Sequence, residues 1–211
     1  MTSSERFTSR AVTTLRPVCA AALLVLAGCA VQPEAPYSGP GWEEHRAQAA
    51  SITQWQLSGK VALRWDGGAE TASLDWLQQE AASEIDLSGP FGAGAVRITH
   101  QDQVLTVRRG GETEVYDSST PETLAAASGW PIPVDGLPFW LRGLPDPEQA
   151  LDGLVLQDGR ALEIRQGGWT ISYTDYAPVA ASSLPTAMEL THGRDAIRLR
   201  LVKGRWTVGG T

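Results

Sequence analysis

Alternation is the feature that most limits what this chain can become. From Gln54 to Trp65 the odd positions read Trp55, Leu57, Gly59, Val61, Leu63 and Trp65, and the even positions read Gln54, Gln56, Ser58, Lys60, Ala62 and Arg64. A repeat of two puts successive side chains on opposite faces of a strand, so this segment predicts one apolar and one solvated face. Gly67-Gly68 marks a turn, after which Ala72, Leu74 and Trp76 oppose Thr71, Ser73 and Asp75. The same theme runs through Ile85/Leu87, Val96/Ile98 and Leu105/Val107, with a hairpin turn at Arg109–Glu112. It returns at Leu162/Ile164, Trp169/Ile171/Tyr173, Met188/Leu190, Ile197/Leu199/Leu201 and Trp206/Val208. About ten or eleven short, one-sided strands joined by Gly-rich turns predict a mainly β fold, an antiparallel meander curled into an incomplete, open β-barrel.

One-sided strands must cover their apolar face. Helical signals are few: Trp42–Ile52, a capped segment from Thr120-Pro121-Glu122 to Gly129, and one short helix around Pro138–Arg142. The Pro-rich stretch from Trp130 to Pro145 is too apolar for a free loop. So sparse a cover suits a short-helix lid over a partly vacant apolar cavity; a plain filled core satisfies the same periodicity. The inward parity selects Trp55, Leu57, Val61, Leu63, Leu74, Trp76, Ile171 and Tyr173 as cavity wall, with Phe139, Trp140 and Leu141 on the lid. No internal repeat or second domain is visible, so residues 42–211 read as a single domain.

The N-terminus is organised differently. Arg6, Arg10 and Arg16 precede an apolar run from Val18 to Leu26, too short to span a bilayer but of the length of a secretory core. It ends in Leu26-Ala27-Gly28-Cys29, a lipobox pattern in which small residues admit a peptidase and the Cys sulfur takes a diacylglyceryl group. An ordinary signal peptide with a chance Cys is the plainer alternative. Residues 1–28 are thus expected to be a lipoprotein signal, Cys29 the lipidation site, and residues 29–41 a Pro-rich tether reaching roughly 40 Å at about 3.3 Å per residue. Loss of Arg6, Arg10, Arg16 and Glu5 with the signal takes the formal charge from −7 to −9, which disfavours nucleic acid. Ala30, where an Asp would favour inner-membrane retention, fits export to the outer membrane.

Chemistry is hard to find. With Cys19 and Cys29 alone, neither a disulfide scaffold nor a Cys-rich metal site can form. His45, His100 and His192 have no partners at metal-ligand spacing, and no nucleophile elbow occurs. Gly89–Gly94 lacks the Lys-Ser/Thr and the helix of a phosphate loop. Asp75 and Asp86 could be named as a carboxylate dyad, but solvated strand faces explain such acids better. Neither an enzyme nor a cofactor or metal is expected. The Gly89–Gly94 segment has another oddity: Pro90 and Gly92 hold Phe91 at the tip of a turn, where polar residues are usual. Its ring either folds back onto the core or stands exposed to enter a membrane or partner.

From about Gln48 onward the chain resembles the LolB family. The shared features are Leu87-Ser88-Gly89-Pro90-Phe91-Gly92, Trp130-Pro131-Ile132-Pro133, Leu137 to Pro145, Trp169-Thr170-Ile171-Ser172-Tyr173, and Pro185 to Thr191 followed by Ile197-Arg198-Leu199. The resemblance implies an incomplete antiparallel barrel with a helical lid over an apolar cavity. It implies a receptor, lipid-anchored at the periplasmic face of the outer membrane, that accepts triacylated lipoproteins from the periplasmic carrier LolA and inserts them into the inner leaflet of that membrane. A monomer that binds no nucleic acid is expected. The family's protruding loop carries a Leu that promotes membrane insertion; that position matches Phe91, so Pro90, Phe91 and Gly92 become the insertion loop. The alternative is a lipid-anchored envelope binding module or assembly scaffold with a filled barrel.

The lipobox reading has a direct test. Cys29→Ala is expected to move the protein from the membrane to the soluble periplasmic fraction; retention on membranes after a high-salt wash would refute the anchor.

Overall fold

The apolar stripes of the sequence meet on one side of one sheet. The computed structural model describes residues 38–102, 104–117, 136–193 and 196–209. The lipobox with Cys29, the tether up to Tyr37, the Thr120–Gly129 segment and Trp130–Pro133 lie outside the described residues. Helix α1 (Trp42–Ala50) leads into β1 (Gln54–Trp65), β2 (Gly68–Gln79), β3 (Ala82–Ser88), β4 (Val96–Gln101), β5 (Val104–Arg109) and β6 (Glu112–Asp117). The short helix α2 (Leu137–Leu141) precedes β7 (Leu151–Gln157), β8 (Arg160–Gln166), β9 (Trp169–Val179), β10 (Ser182–His192) and β11 (Ile197–Val208).

The eleven strands form one antiparallel sheet in the order β6-β5-β4-β3-β2-β1-β11-β10-β9-β8-β7. Its first and last strands, β1 and β11, pair in the middle, from Trp55 opposite Val208 to Arg64 opposite Arg198. The open edges are therefore β6 and β7, and the sheet is not closed into a barrel. Neither edge carries a clear apolar alternation. β6 reads Glu-Thr-Glu-Val-Tyr-Asp and β7 is half-buried only at Gly153 and Leu154, as befits strands at the margin of the core.

The inward residues of β1 to β5 and β8 to β11 make one apolar cluster, in which Leu57, Leu105, Ile164 and Ile171 are wholly buried. The expected alternation fails at one place, on β8. Leu162 does not share a face with Ile164: it is exposed, and Ala161 is buried in its stead. Pairing passes from Val155–Glu163 to Leu156–Ala161, so Leu162 is an extra residue on β8 that inverts the parity beyond it.

Helix α2 is pinned onto this concave face. The indole N–H of Trp140 donates to Gln166 Oε1 at 3.0 Å, and the same oxygen accepts the Asp146 backbone N–H at 2.9 Å. Gln166 Nε2 donates to the carbonyls of Asp146 (2.8 Å) and Gln149 (3.0 Å), so this wholly buried amide is fully satisfied. The Tyr173 hydroxyl donates to the Trp140 carbonyl at 2.8 Å, and burial pushes its phenol far above the ordinary tyrosine range. Arg142 reaches from α2 to the end of α1, donating to the carbonyls of Ile52 (2.9 Å) and Ala50 (3.3 Å), where a cation complements a helix C-terminus. Beneath α1, His45 sits between Trp42 and Tyr176, and burial lowers its pKa below the ordinary imidazole value.

Gln166→Met keeps the volume of this hub but removes a hydrogen bond from the Trp140 indole, the Asp146 N–H and carbonyl, and the Gln149 carbonyl. Its cost is expected to be on the order of 3 kcal/mol, read as a lower urea midpoint at constant slope. A loss under about 1 kcal/mol would mean that the hub is not what holds the lid.

Candidate functional site

The concave face is packed in its middle and open towards its two ends. At the end where α2 sits, a cavity of about 500 Å³ is bounded by Trp55, Gln78, His100, Phe139 and Arg142. At the opposite end a cavity of about 570 Å³ is bounded by Trp65, Ala72, Leu87, Val96 and the Gly89–Pro90 turn, with Glu70 and Arg109 at its edge. Leu87, Val96 and Ala72 share the inward parity of their strands, and Trp65 ends the β1 stripe, so they close the core and wall the cavity together.

The structure brings the residues chosen from sequence onto one side of the sheet. Trp55, Leu57, Val61, Leu63, Leu74, Trp76, Trp140, Leu141, Ile171 and Tyr173 belong to the same buried cluster, and Phe139 packs against it half-buried. Among the described cavities, Trp55 and Phe139 border the one beneath α2. Most of the others pack on one another there. Sequence reasoning passed over the polar residues of this face. Gln78 Oε1 accepts from the Trp76 indole at 3.0 Å and the Ser83 hydroxyl at 2.8 Å, giving the lip of the α2-side cavity a fixed polar rim. Their parity was a usable signal, since Gln78 lies two residues beyond Trp76 on the inward stripe.

The two carboxylates singled out from the sequence lie on the other face, each with its own partner. Asp75 and Asp86 are register partners, but Asp75 accepts from the Ser58 hydroxyl at 2.6 Å and Asp86 is gripped by Arg97 at 2.7 and 2.9 Å. Among the described residues no group of three His, Cys, Asp or Glu is placed to hold a metal.

The β3–β4 connection projects an aromatic ring. Gly89 N–H donates to the Ala93 carbonyl at 2.9 Å and Ala93 N–H returns to Pro90 at 3.2 Å, closing a single 3-10 turn over Pro90–Gly92. Phe91, at its apex, is fully exposed and held at φ +59°, a left-handed conformation uncommon for any side chain but glycine. Gly92 follows at φ +78°, which its missing Cβ allows at little cost. Of the two sequence readings of Phe91, folding back onto the core does not occur.

The family model described as outer membrane lipoprotein LolB matches residues 53–206, from the start of β1 to near the end of β11. The chain belongs to the LolB family. The outer-membrane lipoprotein LolB of Stutzerimonas stutzeri is 35% identical over 189 residues, covering 87% of this chain and 90% of that one. The LolB of Halorhodospira halophila is 36% identical over 181 residues, covering 85% and 89%. A LolA superfamily protein of Nitrosomonas europaea shares the fold with a TM-score of 0.52 at 11% identity, covering 82% of this chain and 96% of its own. LolB-family membership makes this an outer-membrane lipoprotein, and the open sheet over an apolar cavity is the architecture its sequence predicted.

An environment-sensitive apolar dye is expected to bind this LolB-family domain at the Trp55–Phe139 cavity. Phe139→Gln, which removes an apolar wall that is only half-buried, should weaken that binding about fivefold, with thermal unfolding little changed. Undiminished dye affinity would place the apolar site elsewhere.

Proposed function

We propose that this protein is the outer-membrane receptor that takes acylated lipoproteins from a LolA-type carrier and releases them into the inner leaflet of the outer membrane. The observation that carries the reading is the apolar concave face, open beneath α2 and again beside a turn that presents a bare Phe ring. Family membership supports it independently. Lipidation at Cys29 with a tether through Gly41 would hold a monomeric domain within reach of the bilayer.

The energetics set what such a receptor must do. At about 0.8 kcal/mol per methylene, three acyl chains of roughly 15 methylenes represent on the order of 35 kcal/mol of apolar burial. Free passage through water is out of reach, whereas transfer between two apolar concavities need never expose that area. An apolar wall with few hydrogen-bond donors holds many acyl chains alike. The bilayer, which surrounds the chains completely, is the deeper sink, so delivery needs no nucleotide. No step in this sequence needs a catalytic residue.

Phe91 is assigned to delivery. Inserting such a ring into the lipid interface is favourable by roughly 1.5–3 kcal/mol, enough to bias a tethered domain towards the bilayer. Phe91→Glu is expected to fold normally and to accept lipoprotein from the carrier, but to fail in passing it to liposomes. Phe91→Leu should transfer nearly as the parent does. A two-stage assay, carrier to receptor and receptor to liposome, separates the steps: equal loss at both would make Phe91 a docking or folding residue, and normal delivery by Phe91→Glu would refute insertion.

A further inference from the structure

We infer that a recess on the convex face, beside the Phe91 turn, binds the phosphate group of a membrane phospholipid headgroup; this deepens the delivery role proposed above and rests on it. The recess measures about 430 Å³, within the range of small-ligand sites, and is bounded by Lys60, Thr71, Ser73, Ser88, Pro90 and Arg200. These residues come from four strands and one turn, so only the folded sheet assembles them.

The strand register explains the gathering. Ser88 pairs with Ser73, Ser73 with Lys60, and Lys60 with Val202, making one row across β3, β2, β1 and β11. The next row towards the turn carries Thr71, Ala62, Arg200 and Glu189. Beyond it, Arg64 stands opposite Arg198. In the other direction the row reads Asp86, Asp75, Ser58 and Arg205, so acidic character begins on the far side of the recess. In a chain of formal charge −7, Lys60, Arg200, Arg64 and Arg198 thus fall on three successive rows, with Glu189 as their carboxylate neighbour on these rows.

The wall chemistry suits a phosphate diester. No carboxylate borders the recess. The Lys60 ammonium donates to the Ser73 hydroxyl at 2.6 Å and has no carboxylate within ion-pair distance among the described residues. Arg200 shares Glu189 with Arg198, at 3.4 and 3.6 Å, and more than half of its side chain is exposed. An ammonium, a guanidinium and three hydroxyls therefore supply donors for phosphate oxygens, while Ala62 and Val202 leave an apolar strip for the glycerol. Pro90 borders the recess and Phe91 is the next residue. A ring entering the interface brings the recess to the level of the headgroups.

The test uses the full chain with Cys29→Ala, so that the acyl anchor is absent and the N-terminal apolar run is common to every form. Co-sedimentation with vesicles of phosphatidylglycerol and phosphatidylethanolamine is the readout. Lys60→Gln with Arg200→Gln is expected to lower binding at least tenfold, and Lys203→Gln with Arg205→Gln, the same charge lost farther along β11, less than threefold. Equal losses would show diffuse charge attraction and overturn the site. Glycerophosphoglycerol should displace the parent form from vesicles more effectively than inorganic phosphate; equal or better displacement by inorganic phosphate would make this a free-anion site and overturn the headgroup assignment. Carrier-to-receptor transfer is expected to be unchanged in all forms. If the Lys60/Arg200 form loses that transfer but keeps vesicle binding, the recess serves the carrier and the inference fails. If vesicle binding is unaffected while carrier transfer proceeds, the recess fails and the receptor reading stands.

Discussion

A sheet with one apolar face depends on its cover, and here one buried side-chain amide is the hub that ties the cover down. Gln166 uses both its acceptor positions and both its donors on Trp140, Asp146 and Gln149, inside a core where an unmet polar group would be costly. Through it β8 holds both the indole of α2 and the chain that leaves α2. Arg142 extends the same clamp to the end of α1, donating to the Ala50 and Ile52 carbonyls where the helix leaves its last acceptors. Neither contact is local in sequence, so the lid is a tertiary device set on a sheet of mostly consecutive hairpins.

The position of the break in the sheet matters as much as the lid. β1 and β11 seal the middle, and the edges are β6 and β7. A meander interrupted there keeps nine strands paired on both sides and leaves a largely polar edge at β6 and, at β7, an edge that exposes Leu151, Val155 and Leu156. An open sheet of this kind holds a packed centre for stability and unfilled ends for a ligand.

The two ends divide the labour that the proposed function requires. Beneath α2 the cavity has aromatic walls with a polar rim fixed by Gln78. At the other end Phe91 projects, with a cavity walled by Trp65, Ala72, Leu87 and Val96 and edged by Glu70 and Arg109 on the concave side of its turn, and a cationic, hydroxyl-lined recess on the convex side. Apolar tip and phosphate-binding groups then meet the two layers of a membrane surface in the order in which the surface presents them.

Much of this was legible from residue order. The period of two in Gln54–Trp65 and its repeats determined a one-sided antiparallel sheet, because side chains of a strand must alternate. The Gly-Pro-Phe-Gly turn determined an aromatic at a loop tip, because Pro90 fixes its own φ and Gly92 accepts the left-handed backbone that a tight turn needs. Tertiary structure alone decided the rest. Leu162 lost its inward place to a bulge that no local pattern announces, and the edge strands β6 and β7 had no apolar stripe to betray them. Gln166 reads as an ordinary polar residue until Trp140 and Asp146, 26 and 20 positions away, converge on it. Lys60 and Arg200 are 140 residues apart and become neighbours only because β1 pairs with β11. Alternation is a property of one strand, whereas register and convergence belong to the pairing of distant ones, and that pairing is settled only when the whole apolar face is buried at once.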